Sequence, residues 1–108
     1  MGDKRYETEA RGAIDRRIAD LRTLTMAEAA RLPEASDEGV VLGDVSCSLT
    51  VFAQRSPSQL PEAVLVTVQV ARKGVLGIAS YHIEQGLVFF PNGTVRDATD
   101  LELQNSGG

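Results

Sequence analysis

From Asp3 to Thr23 only Gly12 weakens a helix, and Ala10, Ile14, Ile18 and Leu21 recur at steps of three and four. The spacing predicts one long amphipathic helix with a single apolar stripe. Glu7 and Arg11 stand four apart in the favourable order, and most remaining charges fall on the outer face. Arg17 lands between Ala10 and Ala13 on the helical wheel, so its stem is expected to run along the edge of the stripe with its charge in water. Thr25-Met26-Ala27-Glu28 then reads as a capping box, because the Thr25 hydroxyl can accept from the Glu28 amide while the Glu28 carboxylate reaches back to the cap. The short helix it opens covers Met26 to Arg31 and stops at Leu32, since Pro33 disfavours helical geometry in the residue before it.

The polar, acidic stretch from Pro33 to Gly39 reads as a connection. Beyond it the period changes to two: Cys47, Leu49, Val51 and Ala53 alternate with Ser46, Ser48, Thr50, Phe52 and Gln54. Val40 to Leu42, ahead of the turn-prone Gly43 and Asp44, is either a short lead-in strand or the start of this one. After a loop at Arg55 to Pro61 comes the strongest strand signal, Ala63 to Ala71. There Val64, Val66, Val68 and Val70 share one face, and Leu65, Thr67, Gln69 and Ala71 the other. Arg72-Lys73-Gly74 closes a hairpin into Leu76 to Ile83. Gly86 marks a tight turn or a bulge before Leu87 to Phe90, and Pro91 to Thr94 is a turn into Val95 and Arg96. Thr99-Asp100-Leu101-Glu102 repeats the capping-box pattern, which allows a short C-terminal helix.

Every connection between strands is short, which leaves no room for parallel crossovers. The fold class expected is α+β: an N-terminal helix plus a short second helix packed on one face of a three- to five-stranded antiparallel meander sheet, with the opposite face partly open. A single domain spans residues 1–108, with a helical part at 3–32, a sheet part at 40–96 and a tail at 104–108 expected to be disordered. The 108 residues suit one core, and 43% hydrophobic with 24% charged residues is a globular composition.

Charge changes the picture of partners. Residues 1–32 hold seven basic and six acidic side chains, whereas residues 33–108 hold four and nine, so the sheet part carries most of the net charge of −4. An acidic surface repels phosphate backbones and argues against nucleic acid as a partner. No apolar run is long enough for a membrane span, and the charged start Asp3-Lys4-Arg5 does not read as a secretory signal. Cys47 is the lone cysteine, so no internal disulfide or paired-cysteine metal motif can be written. The expectation is a cytoplasmic protein without metal, cofactor or membrane association.

Candidate chemistry is sparse. His82 is the sole histidine and the natural proton-transfer group near neutrality, but it alternates with Ser80 and Glu84 and has no identifiable partner, so a surface histidine is the simpler reading. Cys47 is in phase with Leu49 and Val51, as an inert core thiol would be, and on the face opposite His82. Asp97 and Asp100 lack the ligand alternation of a calcium loop. Gly74-Val75-Leu76-Gly77 lacks the Lys-Ser/Thr pair of a phosphate cradle. What remains is a surface: Thr50, Phe52, Thr67, Gln69, Ser80 and His82 fall on one face and form a candidate binding patch. The function this predicts is non-enzymatic, a protein-interaction module that meets another protein or itself through the open sheet face or an edge strand. The alternative, similar in element order alone to cystatin-like or nuclear-transport-factor-like proteins, is a pocket holding a small ligand between sheet and helix.

Overall fold

The computed structural model describes residues 2–42, 45–56, 62–72 and 82–104. Within these, helix α1 (Gly2–Arg22) and helix α2 (Met26–Ala30) precede strands β1 (Ala35–Leu42), β2 (Val45–Arg55), β3 (Val64–Arg72), β4 (His82–Phe89) and β5 (Val95–Asp97), and helix α3 (Asp100–Gln104) follows. The strands form one antiparallel sheet in chain order, β1-β2-β3-β4-β5. This is the α+β meander expected from the alternation of periods.

The apolar stripe of α1 does what its spacing implies. Ala10, Ala13, Ile14, Ile18 and Leu21 are buried in one cluster with Leu49, Val51, Val66, Val68, Val70, Leu87 and Phe89. Removing that apolar surface from water, at about 25 cal/mol per Å², is the main force holding α1 to the sheet. Around α2 the capping box is complete: the Glu28 amide donates to Thr25 Oγ1 (3.1 Å) and the Thr25 amide to Glu28 Oε1 (2.8 Å). Arg55 at the end of β2 then donates to the carbonyls of Ala30 and, at 3.1 Å, Leu32, closing the C-terminal end of α2 against the sheet. Arg17, expected at the edge of the stripe, pairs there with Glu38 of β1.

Two elements depart from the sequence reading. The stretch read as a connection, up to Gly39, is already sheet from Ala35 onward, because β1 pairs with β2 from Ala35↔Phe52 through Leu42↔Val45. Ser36, Asp37, Glu38 and Gly39 are poor strand formers; the neighbouring strand supplies what local preference does not. Gly86 is neither a turn nor a bulge, since Gln85↔Val68, Gly86↔Thr67 and Leu87↔Val66 run without interruption. It stands where a side chain would collide: an added Cβ would lie 2.9 Å from Leu103 Cδ2, 2.9 Å from the Val66 carbonyl and 3.3 Å from Ala98 Cβ. The glycine therefore lets α3 descend onto the sheet.

The second capping box holds that helix, with Glu102 N to Thr99 Oγ1 at 3.2 Å and Thr99 N to Glu102 Oε1 at 2.8 Å. The Glu102 carboxylate also accepts two bonds from Arg96 of β5, at 2.9 and 2.7 Å. The opposite face is partly open, as its sequence implies, and the structure defines its covered part. The face turned away from α1 has its own small core of Ala63, Leu65 and Val88, packed by Phe90 and Ala98, so it is covered at the α3 end and open only towards β1 and β2. The Gly43-Asp44 turn, the loop residues 57–61, the hairpin at Lys73-Gly74, the first part of the Leu76 to Ile83 strand and the tail 105–108 lie outside the described residues.

Candidate functional site

Sheet register brings much of the predicted patch together. Thr50 pairs with Gln69 and Phe52 with Thr67, one row apart on the face away from α1. Glu84 and Gly86 extend those rows into β4. His82 takes the next row, opposite Ala71, which is itself opposite Ser48. Ser80 lies outside the described residues.

Placement on one face does not make the residues equivalent. Phe52 is 39% exposed, whereas Thr67, its direct neighbour, is only 3% exposed. Thr67 stands between Phe52 and Gly86, and Leu103 is seated on Gly86. It reaches the surface only as part of the floor of a shallow groove of about 320 Å³, shared with Glu34, Phe52, Gln54 and Leu65. In that groove Gln54 Oε1 is buried and has no hydrogen-bond partner among the described residues. Thr50 donates its hydroxyl hydrogen to Asp37 Oδ1 of β1 (2.5 Å), tying the patch to the edge of the sheet.

Cys47 is fully buried, and its register positions, opposite Val40 and Arg72, put it one row from His82 and in phase with the α1 side. Among the described residues no three His, Cys, Asp or Glu side chains cluster as metal ligands would. No described helix is long and apolar enough to cross a membrane.

The residues that sequence reasoning passed over are those of β1. An antiparallel ladder points both backbone groups of successive residues alternately to one neighbour and then to the other. The Ala53 amide donates to the Glu34 carbonyl at 3.1 Å, and this pair continues the register of Ala35 with Phe52. The phase therefore directs Ser36, Glu38, Val40 and Leu42 towards β2. Ala35, Asp37, Gly39 and Val41 direct four N–H and four C=O groups outward, and β1 is the terminal strand of the sheet. Seven of its eight residues are not buried, and Val41 is 71% exposed. On the opposite side β5 has three residues and pairs only Leu87 to Phe89 of β4, after which the chain turns through the Ala98 N to Gly86 O bond (2.8 Å) into α3.

Outside the β1 edge lies a second cavity of about 370 Å³, lined by Thr8, Glu9, Gly12 and Arg16 of α1 and by Val41 and Leu42. Glu9 Oε2 is buried and lacks a hydrogen-bond partner among the described residues. The sequence did carry a signal for this edge. A charged run leading into Val40-Val41-Leu42 is how natural sheets mark an outer strand.

Neither protein-family models, nor curated proteins, nor solved structures give a match to this chain.

Proposed function

We propose that this protein is a non-enzymatic interaction module that takes an extended segment of a partner as an additional strand along β1. The observation that carries this reading is the outward row of Ala35, Asp37, Gly39 and Val41 on an eight-residue terminal strand. Main-chain hydrogen bonds from such a row supply affinity, and alternate side chains supply selectivity. On the opposite side the described sheet ends in the three-residue β5, so β1 offers the longer row of outward groups on a terminal strand.

The test uses Gly39→Pro. Gly39 N–H points outward, its backbone lies on the negative-φ side, and nothing stands within 4 Å of an added Cβ. Proline there removes an edge donor and leaves the ladder to β2 in place. Strand peptides selected from a displayed library against the wild-type protein are expected to lose binding to Gly39→Pro and to retain it with Phe52→Ala. The reverse pattern would transfer the function to the open face.

That second reading has its own support in the groove beside Phe52, where the unpartnered Gln54 Oε1 offers an acceptor to a small ligand. Loss of a bound small molecule on Gln54→Leu, with Gly39→Pro silent, is the outcome that favours it.

A further inference from the structure

We infer that the segment β1 receives is basic, belongs to a different protein, and places a hydrogen-bond-donating side chain in the cavity under α1. This rests on the reading of β1 as a docking edge and specifies its partner.

Three observations converge. First, Glu34, Asp37 and Glu38 lie within five positions at the start of the edge, and of these Glu38 alone is ion-paired among the described residues, with Arg17. The Asp37 side chain lies on the face away from α1 with Val41, and among the described residues it accepts a hydroxyl hydrogen from Thr50 and pairs with no cation, so a lysine or arginine on the added strand finds a carboxylate beside it. Second, residues of an added strand alternate between the two faces. Those not beside Asp37 face the α1 side, where the cavity of about 370 Å³ continues outward from Val41 and Leu42. Gly12 opens that cavity on the helix side, and the buried Glu9 Oε2 is an acceptor waiting for a donor.

Third, a second copy of the chain fits poorly. The antiparallel register that pairs all four outward residues with their counterparts, Ala35 with Val41 and Asp37 with Gly39, sets Glu38 opposite Glu38. Like charges directly across a pair are destabilising. Sliding by two residues pairs Asp37 with Asp37 and takes the partner from Val41, while sliding the other way sets Gly39 opposite Gly39, avoids the like charges and takes the partner from Ala35, leaving three of the four outward residues paired. The net charge of −4 on each copy adds to the repulsion.

The experiment titrates the full chain with two end-capped octapeptides, one alternating lysine with threonine or valine, the other with glutamate in place of each lysine. Binding is read by backbone amide shifts at low salt, and oligomeric state by sedimentation. The lysine peptide is expected to bind about tenfold or more tightly than the glutamate peptide, with the difference shrinking as salt screens it. Its shifts fall on Ala35 to Val41 and on Thr8 to Gly12. Gly39→Pro abolishes its binding, Asp37→Asn weakens it a few-fold, and Glu9→Gln removes part of the preference for threonine over valine on the α1 side.

Equal binding of both peptides, lost in Gly39→Pro, overturns the basic partner and leaves the docking edge standing. A dimer that Gly39→Pro dissociates does the same, in favour of a second copy. Lysine-peptide binding that ignores Gly39→Pro, or no binding of either peptide to a monomeric protein, overturns both.

Discussion

Substituting Gly86 by alanine tests the packing that closes one end of the outer face. The added methyl would stand 2.9 Å from both Leu103 Cδ2 and the Val66 carbonyl, inside van der Waals contact, and 3.3 Å from Ala98 Cβ. Leu103 can yield by shifting α3, but the Val66 carbonyl belongs to the sheet backbone and moves only with β3. Overpacking of this kind costs about 1–3 kcal/mol. The loss of glycine's freedom in the unfolded chain returns about 0.4–1 kcal/mol. A net destabilisation of about 1–2 kcal/mol follows. At about 2 cal/mol/K of unfolding entropy per residue, this corresponds to a fall in Tm of about 4–9 °C.

The partition between the two contacts is measurable. In a Leu103→Ala background one of the two collisions is gone, so Gly86→Ala is expected to cost less there. The coupling energy should fall in the range of about 0.5–1.5 kcal/mol, as for side chains in contact. The assay is urea unfolding of wild type, both single variants and the double variant. An unchanged or raised stability in Gly86→Ala, or the same cost in both backgrounds, would refute the argument that Gly86 exists to admit Leu103.

Acid should loosen the same corner. The double hydrogen bond from Arg96, aided by the Thr99 amide, holds the Glu102 carboxyl down at about 2 from an ordinary 4.5. A carboxylate depressed on folding contributes stability that is whole above about pH 4.5 and fades as pH falls towards 2, so thermal melts between pH 5 and 2 should fall less steeply for Glu102→Gln than for wild type. Thr25→Ala removes the cap on the Glu28 amide and should cost about 1 kcal/mol in denaturant unfolding. Arg55→Met leaves the Ala30 and Leu32 carbonyls without their donor and should cost about 1–2 kcal/mol, with helix α2 the first region to lose amide protection. Phe89→Ala empties a fully buried position at the heart of the main core and should cost about 3–5 kcal/mol by the same measurement.

What could be read from the chain divides along the range of the forces involved. The α1 stripe, both capping boxes and the alternation of β2 and β3 are local patterns, each complete within a few residues, and each appears as spelled. β1 could not be read in full, because Ser36 to Gly39 have no strand preference of their own and are held extended by pairing with Ser48 to Val51. Gly86 carries the ordinary sequence meaning of a turn, yet its reason for being glycine is a leucine on α3. Thr67 shares its period with Thr50 and Gln69, but it is 3% exposed, between Phe52 and the Gly86 on which Leu103 sits. The Glu9 and Gln54 oxygens that lack partners are products of how elements dock, and nothing in their own neighbourhoods of sequence announces them. The binding patch was thus half legible: its face was, its depth and the adjoining edge were not.

Amide hydrogen exchange along β1 in the dilute, unliganded protein tests the open edge most directly. Ser36, Glu38, Val40 and Leu42 should be protected through their bonds to β2, while Asp37, Gly39 and Val41 exchange at close to the rate of free peptide. Uniform protection of all these residues in a monomer would show that something within the chain already covers this edge, and the docking account would fail.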